Sequence, residues 1–211
     1  MDLMNQRSDS NQRSRRSIRL KEYDYSQAGG YFVTVCTHRK KCLFGEIAEG
    51  KIVLNAFGKI VGEEWVRTKQ MRQGVDLDVF IVMPNHIHGI IILTGTPFSA
   101  NRRGTMHRAP TPQIEQFGRP TANSIPTIIR GFKSSVTQRI IKIRAIPGAP
   151  VWQRNYYEHV IRNEIDLEET REYIENNPLK WLEDEYYPTN TQKNIVGALC
   201  IVPLQDSHFH T

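Results

Sequence analysis

The chain has 211 residues, 39% of them hydrophobic, and its 28 lysines and arginines outnumber 22 acidic residues for a formal charge of +6. That length suits one domain with a real core plus appendages, and the basic excess favours an anionic partner, nucleic acid above all. The longest apolar run, Gly89-Ile90-Ile91-Ile92-Leu93, falls far short of the roughly 20 residues of a bilayer span, so no membrane association is expected.

Residues 1–21 are rich in Arg, Ser, Gln and Asn and nearly empty of large apolar groups. Such a segment cannot offset its ordering entropy by burial, and is read as a mobile basic arm. It also lacks the apolar stretch of a secretory signal. Cys36, Cys42 and Cys200 are an odd number without CxxC spacing. They argue against a disulfide framework or a zinc ribbon and point to a cytoplasmic location.

Order is expected to begin near Tyr31, where Tyr31 to Thr37, β-branched and aromatic behind Gly29-Gly30, reads as a buried strand. Leu43 to Ile47 and Lys51 to Leu54 flank Glu49-Gly50 as a short hairpin. Phe57, Ile60, Val61, Trp65 and Val66 then follow a helical period behind Asn55, a suitable N-cap, with an end expected near Met71. Asp76 to Met83 and His86 to Leu93 are two further strands around Pro84-Asn85. The stretch 94–123, rich in Gly, Pro, Thr and Arg, is read as a long flexible insertion.

Ile128, Phe132, Val136 and Ile140 mark a helix from about Ser124 to Ile143, with Arg130, Lys133 and Arg139 on its polar side. Pro147 and Pro150 end it. Tyr156 to Ile161 is a last strand, and Glu164 to Asn176 a third helix with Asn163 as its N-cap. Pro178 follows, and proline biases the residue before it away from helical geometry. Strands and helices interleaved with a hairpin imply an α+β fold, a ferredoxin-like sandwich with a largely antiparallel sheet and helices on one face. The domain is placed at 22–190, with 191–211 as a C-terminal tail.

Two short segments carry chemistry. In Met83-Pro84-Asn85-His86-Ile87-His88-Gly89, residues two apart share a strand face, so His86 and His88 project together as a half-site for a divalent metal. The bland reading is a pair of ordinary hydrogen-bonded histidines. In Glu172-Tyr173-Ile174-Glu175-Asn176-Asn177-Pro178, Tyr173 and Asn177 lie four apart on one helix face, as a phenol nucleophile and an amide oxygen ligand. Packing and a helix stop explain them equally well, and Asn176 or Glu175 are alternative ligands.

Together these blocks resemble the REP-associated tyrosine transposases, a branch of the HUH endonucleases. Arg15 to Lys21 followed by Tyr23 to Thr34 is similar to the family's opening block, and Met-Pro-Asn-His-Ile-His to its two-histidine signature. Trp152 to Arg162 and Tyr173 to Pro178 are similar to the downstream blocks, in the same order. The resemblance runs from about Arg15 to Trp181 and is interrupted by the insertion.

It implies His86 and His88 as metal ligands, Asn177 as the third, and Tyr173 as a nucleophile that forms a 5′-phosphotyrosine and frees a 3′-OH before the strands rejoin. The implied cofactor is a divalent ion, Mg²⁺ or Mn²⁺; imidazole suits Mn²⁺ better. The implied partner is single-stranded, hairpin-forming DNA, with no small-molecule substrate, and the family's precedents allow a monomer or a homodimer. Arg102, Arg103, Arg130, Lys133 and Arg154 are candidates for backbone contact, and Tyr156 or Tyr157 for base stacking. For each of these, a solvated face or core packing is the competing reading. His159 is read as a structural histidine, with a partner to the site or a DNA contact as the alternatives. The general base is not legible. Alternatives are a replication-initiator nickase, a non-catalytic hairpin-binding protein, and a hydrolase that uses water in place of Tyr173.

Overall fold

The computed structural model describes residues 23–95, 121–146 and 148–188. The basic arm, most of the insertion with Arg102 and Arg103, and the C-terminal tail lie outside the described residues. The elements run β1 (Gly29–Cys36), β2 (Gly45–Ala48), β3 (Lys51–Leu54), α1 (Ala56–Gln70), β4 (Val75–Val82), β5 (His86–Leu93), α2 (Ile125–Arg144), β6 (Tyr157–Ile161) and α3 (Glu164–Asn176). Short 3-10 turns stand at His38–Lys40 and Trp181–Glu183. No described helix is long and apolar enough to cross a membrane.

Four strands form one antiparallel sheet in the order β4-β5-β1-β6, and β2 and β3 pair separately. The α+β class and the antiparallel sheet are as the sequence implies. β1 and β5 are central because their sequences bury both faces: six of eight residues in β1 and seven of eight in β5 are buried. Their register sets Thr34 opposite His88 and Cys36 opposite His86.

The two faces have different covers. Tyr31, Val33, Val35, Ile87 and Ile91 pack with Ile60, Val61 and Trp65 of α1 and with Ile128, Phe132, Val136 and Ile140 of α2. Phe32 and Ile90, from the other parity of the same strands, pack with Ile174 of α3. The helices are thus divided between the faces rather than gathered on one. The physical reason is that α3 has a single buried apolar anchor, Ile174, which fits the small second core and could not replace a helix of the first. At Gly89 the indole of Trp65 approaches so closely that a Cβ would lie 2.4 Å from its ring.

β4 changes parity midway. Leu77 and Phe80 both pack toward α1 and α2, while Val79 and Ile81 face α3, and the pairing with β5 shifts between Leu77 and Phe80. This bulge turns Asp78 toward α3, where it accepts two bonds from Arg171, Nη2 at 2.6 Å and Nε at 3.2 Å. At the other end, Asp166 of α3 lies 3.0 Å from His159 Nε2 on β6, and Asn163 Oδ1 caps the helix by accepting from Asp166 N. His159 therefore serves to seat α3. A helix with so little apolar surface is held in place by the Asp78–Arg171 ion pair, the His159–Asp166 contact and a cap.

Candidate active site

The histidines of β5 point to the α3 face, and both are buried, at 0% and 1% exposure. Their Nε2 atoms are 2.9 Å apart. Each Nδ1 faces a protein oxygen: Asn85 Oδ1 at 2.8 Å for His86, and Thr34 Oγ1 at 2.9 Å for His88. Phe32 stacks on His88 at 5.4 Å between ring centroids and meets Tyr173 edge-on at 6.0 Å. These aromatic contacts hold the rings in place.

Burial holds both imidazoles neutral, since removing an ion from water penalises the protonated form. It pushes His88 down to about 3 and His86 well below its ordinary value, the latter helped by the nearby Lys40 ammonium. Neutral imidazoles keep the lone pairs that metal ligation requires.

From α3, Tyr173 places its hydroxyl 3.4 Å from His88 Nε2 while remaining 44% exposed. Its phenol is pushed up to about 12, first by burial and then by the charges of Asp184 and Glu185. Asn177, one turn on, is 3% exposed. It stays helical at φ −58° and ψ −40° despite the proline that follows. The bias against that conformation is offset by its side chain, whose Nδ2 donates to Asp184 Oδ2 at 2.9 Å. Asn177 Oδ1 is buried without a hydrogen-bond partner among the described residues.

Asp184 escapes the sequence reading. After the turn at Trp181–Glu183 the chain folds back, and Asp184 Oδ1 accepts from Tyr186 N at 2.6 Å. Its side chain is 3% exposed, with Oδ2 4.0 Å from His86 Nε2. The Glu183-Asp184-Glu185 run reads as a solvated charge cluster, and only the turn could have hinted otherwise. His86, His88 and Asp184 each offer a ligand atom within 4.8 Å of the others. The donor set fits a divalent cation: two neutral imidazole nitrogens, a carboxylate, and an orphaned amide oxygen that burial makes costly without a partner. The 2.9 Å between the nitrogens is the spacing of adjacent ligands at about 2.1 Å from an octahedral ion.

The remaining candidates are scattered. Arg130 is exposed on α2, which covers the opposite sheet face from the histidines. Lys133 donates its ammonium to Gln153 O at 2.9 Å and Asn155 O at 3.0 Å, and sits over the Tyr156 ring at 5.7 Å. Both residues are thereby engaged in packing against the first core. Arg154 is exposed in the loop before β6. Tyr157, 50% exposed, packs against Phe32 at 6.2 Å and so lies on the site's face.

No protein-family model matches the chain. An uncharacterised protein of Haemophilus influenzae (strain ATCC 51907 / DSM 11121 / KW20 / Rd) is 41% identical over 174 residues, spanning 82% of this chain and 93% of that protein. The solved structure of a REP-associated tyrosine transposase bound to a REP hairpin is similar at 20% identity, covering 77% of this chain and 73% of that one, with a TM-score of 0.50. The chain belongs to one family with the Haemophilus protein, and its fold is that of the REP-associated tyrosine transposase structure.

Proposed function

We propose that the protein is a cytoplasmic DNA strand transferase that cuts and rejoins single-stranded, hairpin-forming DNA through Tyr173. The observation that carries this reading is a half-exposed phenol 3.4 Å from a buried, neutral histidine pair. The hairpin-bound transposase of the same fold supports the choice of substrate. His86, His88, Asn177 Oδ1 and Asp184 would hold Mg²⁺ or Mn²⁺. Such an ion, when bound, polarises the scissile phosphate and neutralises its charge.

Tyr173 Oη bonds to phosphorus as the bond from phosphorus to the 3′ oxygen breaks. The phenolic proton passes to water, to which the exposed side of Tyr173 gives access, and the departing 3′ oxygen takes up a proton from water. The product is a 5′-phosphotyrosine and a free 3′-hydroxyl. The bond energy is retained in that link, so a second 3′-hydroxyl can reverse the step and join a new strand. Phe32 and His88 orient the Tyr173 ring, and Tyr157 offers a stacking surface for an unpaired base beside it.

The test is incubation with Mn²⁺ and end-labelled DNA carrying a hairpin and a single-stranded flank, resolved on a denaturing gel. A slow-migrating adduct with the 3′-side fragment, absent in Tyr173→Phe, is expected. Cleavage that persists in Tyr173→Phe without an adduct would make the protein a hydrolase.

A further inference from the structure

The residue before the histidine pair has a hydrogen-bond pattern that allows one proton arrangement. Asn85 is fully buried. One end of its side-chain amide faces two backbone carbonyls, Lys40 O at 3.0 Å and Tyr186 O at 2.7 Å. Carbonyl oxygens only accept, so that end must be the NH₂ group, and each of its protons has a partner. Turning the amide over would set an oxygen against two oxygens in a dry interior.

The other end, 2.8 Å from His86 Nδ1, is then the carbonyl oxygen Oδ1. An oxygen there accepts, so His86 must carry its single proton on Nδ1. A neutral imidazole has only one, which leaves Nε2 with a bare lone pair aimed at His88 Nε2 and Asp184. His88 has no such constraint, because Thr34 Oγ1 can either donate or accept.

We propose that Asn85 is a positioning residue that locks His86 in the Nδ1–H tautomer and so presents Nε2 as a ready metal ligand. The assignment rests on the metal-dependent reading of the site. Its logic is that of partners behind metal-bound histidines, where the oxygen accepting from the outer nitrogen fixes tautomer and ring orientation. Asn85 does more than a lone carbonyl would. Its NH₂ ties Lys40 and Tyr186, on two distant chain segments, to the same amide, so the amide cannot swing away from His86.

The experiment is long-range ¹H–¹⁵N NMR of the metal-free protein, paired with calorimetric titration of Mn²⁺ alone. In wild type, His86 is expected to show Nδ1 protonated and Nε2 unprotonated. In Asn85→Ala and the near-isosteric Asn85→Leu, that preference is lost at His86, and the Mn²⁺ dissociation constant rises about tenfold or more. A generally loosened fold would instead perturb His88 and distant signals alike.

Wild-type His86 protonated on Nε2 overturns the proposal, and this holds even if neither variant folds. So does a folded Asn85→Leu with unchanged His86 signals and unchanged Mn²⁺ affinity. Wild type that keeps the Nδ1–H form and binds Mn²⁺, yet makes no DNA adduct, upholds the role of Asn85 while removing the strand-transfer reading.

Discussion

His86 and His88 each spend one ring nitrogen on the protein and turn the other toward a common point with Asp184, and the buried Asn177 Oδ1 is the proposed fourth donor. In the proposed site each of these four supplies a lone pair, and the ion is held less tightly without it. His86→Ala should therefore abolish Mn²⁺ binding in calorimetry, while Asp184→Asn should weaken it, since an amide oxygen remains but the charge is gone. Retained wild-type affinity in His86→Ala would remove the metal from this place. The histidine pair was legible in the sequence because a strand's alternation puts residues two apart on one face. Tyr173 and Asn177 were legible because a helix turn does the same for residues four apart. Asp184 was not, since its place depends on a turn beyond the helix folding back over β5. Asn85 stands within the motif, but its role needs carbonyls from Lys40 and Tyr186 that only the tertiary structure brings together.

Among the elements, α3 carries Tyr173, the proposed nucleophile, yet has the least apolar surface with which to hold its place. The Asp78–Arg171 pair substitutes for that surface, and Arg171 holds the Asp78 carboxyl below its ordinary value of 3.8. A depressed folded-state value means the unfolded chain binds the proton more readily. The stabilisation is therefore complete above the ordinary value and lost as pH falls through the folded one. Asp78→Asn should be less stable than wild type at pH 7 in urea titrations, with the gap closing in strong acid; an equal gap at both pH values would contradict an ionic role. The same variant should lose adduct yield, because a shifted α3 moves Tyr173. The bulge that aims Asp78 at α3 has no signature in the alternating sequence of β4. The division of helices between the faces was likewise hidden, because an apolar stripe shows that a helix is covered and not by which side of a sheet. On the first face, Gly89→Ala should cost about 1–3 kcal/mol of stability by forcing Trp65 out of its place, measurable in the same titrations.

Taken whole, the described residues place two helices and the larger core on one side of a four-stranded sheet and the candidate site on the other. The thick core makes β1 and β5 a rigid floor, and the site is assembled on it from β5, α3 and the segment after α3. An ion bound to all three should stabilise the native fold by linkage, about 2.7 kcal/mol at a hundredfold excess over its dissociation constant. Thermal melts should thus rise with Mn²⁺ in wild type and stay level in His86→Ala. The coarse order of strands and helices could be read from periodicity because each core stripe is long. The long-range joins that complete the site could not, since they link residues up to 101 positions apart, as Asn85 and Tyr186 are. Strand transfer of the proposed kind requires that Tyr173 become covalently attached to DNA. Proteolysis of the protein after reaction with hairpin DNA and Mn²⁺, followed by peptide mass spectrometry, reads this directly. A nucleotide phosphate on the peptide containing Tyr173 is the predicted result. A modification on another residue, or cleaved DNA with every peptide unmodified, would contradict it.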